Sequence, residues 1–241
     1  MKPGLTLVVF TFLFSIHLTA QEKIQASSDW LYSSVHSVII PEHEHFRKRV
    51  TSPDGQKFVT AELDGDGDMQ KLKVAVGRRT FPLKMEGAGA EVLWSPNSRW
   101  LAVTYTYCCS GFSPYLRVYE VSQSGVRDLK IEGSLAKGFG KGIRCDGWTA
   151  SQWALTAAVK WLDADHLLAA VQIPNVSVCD SMGVFELREI SLPQLTVIKT
   201  YGQLEAKKLF RRDLGGNLLG ARDTCIRNPK SCWIQSQHQQ Q

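Results

Sequence analysis

One pattern recurs three times along the chain and limits what it can become. A strand-like run meets a tight polar turn, and a second strand-like run follows. The three copies are RVTSPDGQKFVTAEL (Arg49–Leu63), EVLWSPNSRWLAVTYT (Glu91–Thr106) and AVKWLDADHLLAAVQI (Ala158–Ile173). Their turn slots are SPDG, SPNS and LDAD. Proline presets the backbone for the first turn position, and Asp, Asn and Gly suit the positions after it. Each copy continues into a third strand and a fainter fourth, RTFPLKM, VRDLKIE and LTVIKTY. Four strands per unit at a spacing of about 40 to 65 residues is the signature of repeated antiparallel β-sheets, as in propeller blades.

The strand assignments rest on composition and alternation. KFVTAEL (Lys57–Leu63), KLKVAV (Lys71–Val76), RWLAVTYTY (Arg99–Tyr107), YLRVYEV (Tyr115–Val121), HLLAAVQI (His166–Ile173) and VFELREI (Val184–Ile190) are rich in β-branched and aromatic residues and are bounded by turn residues. In LRVYEV, Leu116 and Val118 share one face with the stem of Glu120, and Arg117, Tyr119 and Val121 share the other. The unbroken LLAAV points to a strand buried on both faces. The expected fold is all-β: a propeller-like array of about three four-stranded blades, with a β-sandwich as the alternative architecture. Propellers close with four to eight blades. Asp29–Ile40 is therefore expected to add strands toward a fourth, unless the array stays open or two chains complete each other.

VLWSPNSRWLAVTYT resembles the W-S-P-D-G-x-x-[IL]-A core of TolB-type β-propeller blades, where the motif covers the turn between a blade's two innermost strands. TSPDGQKFVTAE resembles it with Thr51 in place of the tryptophan, and VKWLDADHLLAAV resembles it without the Ser-Pro. The resemblance covers about half of the chain after residue 20 and implies a fold. It implies no activity, because propellers host unrelated functions.

The two ends read differently from the middle. Lys2 is followed by the apolar run LTLVVFTFLFSIHL (Leu5–Leu18) and by LTAQ, which reads as a secretory signal peptide over residues 1–20 cut between Ala20 and Gln21. Residues 21–201 form the β domain, and the chain is expected to be secreted or periplasmic. GQLEAKKLFRRDLGGN (Gly202–Asn217) reads as an amphipathic helix with Ala206, Leu209, Phe210 and Leu214 near one face and Gly215–Gly216 as its stop. The helix belongs to a C-terminal segment, residues 202–234, that also holds a Cys loop. The tail, 235–241 (QSQHQQQ in its context), is polar and of low complexity, hence disordered. The net charge of +5 gathers near this end. Lys199, Lys207, Lys208, Arg211, Arg212, Arg222, Arg227 and Lys230 face only Glu205, Asp213 and Asp223, a balance suited to an acidic surface. Nucleic acid is not expected as a partner.

All six cysteines follow the signal. An even number in an exported chain points to disulfides. In a four-stranded blade the loops between second and third strands share a face with the connections between blades. That face would gather DGDGDM (Asp64–Met69), CCSGFSP (Cys108–Pro114), PNVSVCDSMG (Pro174–Gly183) and the long connection Gly133–Leu155. Cys108 or Cys109 could then pair with Cys145 or Cys179, and Cys225 with Cys232; the pairing stays open among these. A redox or metal role for Cys108–Cys109 fits less well, because the spacing of a redox pair or a zinc site is missing.

The same face collects the candidate binding residues. Phe112, Trp148 and Trp153 are loop aromatics of the kind that anchor protein or glycan partners. Asp146 and Asp180 are loop carboxylates. Tyr105 and Tyr107 lie on a strand and fit packing equally well. Asp64, Asp66 and Asp68 alternate as calcium ligands can, although turn chemistry alone explains them and Met69 and Ala75 stand where an EF-hand needs Gly and Glu. No cofactor is otherwise implied. His43 and His45 alternate but lack a third ligand, and Asn175 opens an Asn-Val-Ser acceptor. No Gly-x-Ser-x-Gly, His-Glu-x-x-His or phosphate loop occurs. The expected function is a secreted binding or scaffold protein presenting loops to a protein or glycan, with no catalytic residue assigned. The alternative is an exported hydrolase using Asp146 and Asp180, with or without a metal.

Overall fold

The computed structural model describes residues 31–35, 37–39, 49–63, 70–87, 89–106, 114–140, 144–145, 148–149, 154–174 and 182–221. The expected signal peptide, the Cys225–Cys232 loop and the 235–241 tail lie outside these residues. The fold is all-β. The first sheet runs β2 (Arg49–Thr51), β3 (Lys57–Leu63), β4 (Gln70–Val76) and β5 (Arg79–Gly87), each strand antiparallel to the next. The middle sheet repeats the order with β6 (Gly89–Trp94), β7 (Trp100–Thr106), β8 (Tyr115–Ser122) and β9 (Gly125–Asp128). The last sheet repeats it again with β12 (Leu155–Trp161), β13 (His166–Gln172), β14 (Phe185–Ser191) and β15 (Thr196–Gly202). A small hairpin, β10 (Arg144–Cys145) with β11 (Trp148–Thr149), lies in the connection before β12.

The segment expected to start a fourth blade does something else. Its strand β1 (Ser37–Ile39) pairs antiparallel with β6 and extends the middle sheet to five strands. No sheet closes on itself among the described residues.

The sheets stack face to face, and alternation along each strand sorts side chains between the layers. Val59, Leu72 and Val74 of the first sheet meet Val92, Leu101, Val103 and Tyr105 of the middle one. The opposite face of the middle sheet sends Leu93, Trp100, Leu116 and Val118 against Leu167, Ala169, Val171 and Ile190 of the last. LRVYEV divides between the two layers as its alternation requires, and Tyr105 is packing, buried to 2% exposure. LLAAV is buried on both faces. Leu167, Ala169 and Val171 point to the middle sheet, and Leu168 and Ala170 point away from it.

Each end of the stack disposes of its outer face differently. On the first sheet, Arg49, Thr51, Glu62, Lys71 and Thr80 are exposed. Arg49 lies over the Phe58 ring at 3.7 Å, and Lys73 pairs with Glu62. A polar outer face of this kind ends a repeat array without needing another layer. The last sheet is instead capped by helices. α2 (Gln203–Phe210), α3 (Gly216–Gly220) and the turn between them bring Ala206, Leu218 and Leu214 onto Leu168, Ala170, Phe185 and Leu187. The expected single helix is thus two, because the chain stops after Phe210 and restarts past Gly215. Leu209 is 55% exposed. The buried stripe is set by Gln203, Ala206 and Phe210, three and four residues apart, which leaves Leu209 beside it. A third short helix, α1 (Glu132–Ala136), leads from the middle sheet toward the last, and Arg188 caps its C-terminal carbonyls at Leu135 (2.6 Å) and Lys137 (2.7 Å).

Candidate functional site: the loop end of the sheet stack

The three hairpin turns that organise the sequence also organise the stack. In the first, the Ser52 hydroxyl donates to Asp54 Oδ1 at 2.6 Å and accepts the Lys57 N–H at 3.0 Å. In the second, Ser95 donates to Asn97 Oδ1 at 2.7 Å and accepts the Trp100 N–H at 2.9 Å. Gly55 (φ 71°) and Ser98 (φ 57°) occupy the same left-handed slot. The third turn is one residue shorter and lacks the serine. Asp163 there accepts the N–H groups of Asp165 and His166, both at 2.9 Å.

Neighbouring turns are tied to each other. The Asp54 N–H donates to Ser98 Oγ at 3.0 Å, and Lys57 Nζ donates to the Ser98 carbonyl at 2.7 Å. Trp100 Nε1, at the position equivalent to Lys57, donates to Asp165 Oδ1 of the third turn at 2.7 Å. His166 is the next member of the series; among the described residues there is no further sheet for it to reach, and it pairs with Asp163 of its own turn. A second row of contacts runs the other way. Trp94 Nε1 reaches back to the Val50 carbonyl at 3.4 Å, and Trp161 Nε1 reaches back to the Leu93 carbonyl at 3.2 Å. Thr51 stands at the matching position of the first sheet, before which no sheet lies among the described residues. The variation within the repeated motif therefore follows each copy's place in the stack.

With the turns aligned at one end, β3, β7 and β13 all run away from them, and their far ends share the other end of the stack. Leu63 and Gln70, Thr106 and Tyr115, and Gln172 and Phe185 are the strand ends there. The middle and last sheets are stitched together at this end. The Thr156 N–H donates to the Pro114 carbonyl at 3.1 Å, and Thr156 Oγ1 accepts the Leu116 N–H at 3.0 Å. Pro114 leaves the CCSGFSP loop, and Leu155 and Thr156 follow the long connection. The described flanks of those two loops are therefore in contact. Cys108, Cys109, Cys179, Cys225, Cys232, Phe112, Trp153, Asp146, Asp180, Asp64, Asp66 and Asp68 lie outside the described residues. Cys145 and Trp148 are placed by backbone alone, opposite each other in the β10–β11 hairpin. Among the described residues, no three His, Cys, Asp or Glu side chains gather as a metal ion would need.

A buried polar seam, which sequence reasoning missed, runs beside this end. Glu91, 3% exposed in β6, accepts the N–H groups of Tyr32 (2.9 Å) and Ser33 (3.1 Å) on its two carboxyl oxygens. The Tyr32 hydroxyl donates to Gln172 Oε1 at 3.0 Å, and Gln172 Nε2 donates to the Gly183 carbonyl at 3.2 Å. Burial pushes the Glu91 carboxyl up to about 8, against the two backbone donors that favour its charge. Burial, with Glu91 beside it, also raises the Tyr32 hydroxyl. With both oxygens bound to the chain's own backbone, Glu91 holds the segment 31–35 in place. The available signal was a lone charge inside the apolar run of AEVLW.

Comparison with protein-family models matches none of them, and comparison with curated proteins finds no relative. The class that the fold defines is a three-layer stack of antiparallel sheets, of four, five and four strands, with a helical cap.

Proposed function

We propose that the protein is an exported binding or scaffold protein that presents the loops at one end of its sheet stack to a protein or glycan. The observation that carries this reading is the cross-linking of the three turns, which makes one end a fixed base and leaves the strand–strand loops at the other. The TolB-type resemblance of the repeated motif supports a blade-like use of that end, as propellers use their loop faces. Trp148 and Trp153 are the proposed anchors, with Phe112 beside them in sequence character. Cysteine pairs among Cys108, Cys109, Cys145 and Cys179 would hold the loops in register.

The test is a binding screen of the purified chain against immobilised glycans and surface proteins, repeated with a Trp148→Ala/Trp153→Ala variant. The expected result is one ligand class whose binding falls at least about tenfold in the variant at unchanged melting temperature. Binding that survives the double substitution would discard the loop-end assignment. Hydrolysis of a bound ligand, lost on Asp146→Ala, would replace this reading with the exported-hydrolase one.

A further inference from the structure

One layer of the core holds a cation that packing alone does not call for. Arg188 lies on the face of β14 turned to the middle sheet, opposite Ala169, and is 6% exposed. Leu167, Val171 and Ile190 belong to the same layer. Burying a cation there costs more than burying an apolar side chain of similar volume. The guanidinium offsets that cost with directed hydrogen bonds. Nη1 donates to the Leu135 carbonyl at 2.6 Å and to the Lys137 carbonyl at 2.7 Å. Nε donates to Glu186 Oε1 at 2.6 Å, and Nη2 donates to the same oxygen. A planar fork held by a carboxylate is a rigid way to aim a donor.

The two carbonyls it aims at end α1, at the start of the long connection. A helix of five residues has little hold of its own. Beyond it, Gly138 (φ 74°) and Gly140 (φ 63°) turn the chain, and Phe139 between them is buried. Arg144, the first residue of the β10–β11 hairpin, is four residues past Gly140 and so within ~14 Å of it. On the return, Thr156 is fixed to Pro114 and Leu116. The hairpin that carries Cys145 and Trp148 is thus slung between two anchored points, and the first of them depends on the guanidinium. We propose that Arg188 is a positioning residue: its fork fixes the take-off of the long connection, and with it the placement of the β10–β11 hairpin. How the hairpin is held follows from these contacts alone, and what it captures rests on the loop-end reading.

The test is hydrogen exchange on the purified chain and on Arg188→Met, Arg188→Lys and Glu186→Gln variants, read at the Leu135 and Phe139 amides and across β10–β11. Arg188→Met keeps the apolar stem and removes every donor. It should speed exchange at those amides about tenfold more than at the amides of β6–β8. Arg188→Lys keeps a cation without the fork and should fall between Arg188→Met and the parent. Unchanged exchange in Arg188→Met, or a rise shared equally by β6–β8, overturns the proposal. Should Arg188→Met fail to fold, Glu186→Gln decides, because the Glu186 side chain is 23% exposed and its change leaves Arg188 in place. A rise of about threefold at the same amides is then expected, and none overturns the proposal. A ligand held through Trp148 and Trp153 should bind about tenfold more weakly to Arg188→Met, recover in Arg188→Lys and be unaffected by Trp161→Phe. Equal capture by Arg188→Met and the parent overturns the proposal and leaves the loop-end reading standing. A parent that captures nothing removes the loop-end reading, and the exchange pattern still decides the role of Arg188.

Discussion

The indole N–H of Trp161 donates to the main-chain carbonyl of Leu93 across the boundary between the last and middle sheets. Trp94 repeats the contact one layer earlier, onto Val50. Thr51 holds the same position in the first sheet, which no earlier layer precedes among the described residues. Trp161→Phe keeps most of the packing and removes the hydrogen bond, so it should lower stability by ~1 kcal/mol. Trp161→Thr also removes the ring and should cost ~3 kcal/mol. The reciprocal change, Thr51→Trp, falls on an exposed position and should stay within about 0.5 kcal/mol of the parent. Denaturant midpoints at constant slope check all three. A Thr51→Trp effect as large as that of Trp161→Thr would show that the tryptophan acts within its own sheet.

Gly215 marks where the two ends of the described chain meet. Its N–H donates to the Tyr32 carbonyl at 2.9 Å, flanked by Ser34 N–H to the Asp213 carbonyl and Asn217 N–H to the Leu31 carbonyl, each 3.0 Å. A Cβ at Gly215 would lie 2.2 Å from the Leu31 carbonyl oxygen, and both neighbours are backbone that cannot swing aside. Gly215→Ala should therefore part the two segments and cost ~1–3 kcal/mol. Hydrogen exchange should show the loss first at the amides of Ser34 and Gly215, with the β6–β8 amides keeping their protection.

Glu91 makes stability depend on pH in a stated direction. Its folded value, about 8, lies above the ordinary 4.5, so the folded chain favours the protonated form. That contribution is fully present below about 4.5 and is lost as pH rises through about 8. Glu91→Gln cannot ionise and should flatten this decline. It also turns an amide N–H₂ toward one of two backbone donors, so it should be less stable than the parent at the acid end of the window by ~1–2 kcal/mol. Unfolding curves of both proteins across that window check the sign. A parent whose stability rises with pH there, relative to Glu91→Gln, contradicts the assignment.

The strands were legible because their chemistry is local. Alternation in LRVYEV and the two-faced apolar run of LLAAV need only neighbouring residues, and the Ser-Pro turns announce themselves by residue type. LDAD was legible as a turn although it lacks the serine, since Asp163 does the capping. What escaped was set by distant chain. Glu91 meets Tyr32 across 59 residues, and nothing in AEVLW names its partner. The service of Trp94 and Trp161 is equally hidden, because each binds a main-chain carbonyl that any residue could supply. Leu209 was placed inward by a periodicity drawn through Leu214, but the helix ends at Phe210 and that periodicity ends with it. β1 joined the middle sheet rather than starting a fourth, since the exposed edge of β6 offered it a complete ladder. For the candidate site, sequence supplied the shared end of the stack. The Pro114–Thr156 contact then brings the flanks of two of its loops together.

That contact also bears on the cysteines. Cys109 lies five residues before Pro114, and Cys145 lies eleven before Thr156. Chain segments of those lengths can reach ~17 Å and ~36 Å, so a bridge from Cys108 or Cys109 to Cys145 is within span. Peptide mapping of the purified protein, with and without reduction, should recover Cys108 or Cys109 joined to Cys145 or Cys179, and Cys225 joined to Cys232. Reduction should lower stability by ~2–4 kcal/mol per bridge. It should also weaken ligand capture more than Trp161→Phe does, because it releases the loops rather than the base that carries them. Free, rapidly alkylated Cys108 and Cys109 in the purified protein would instead mark a reactive pair and remove the staple from the proposed binding face.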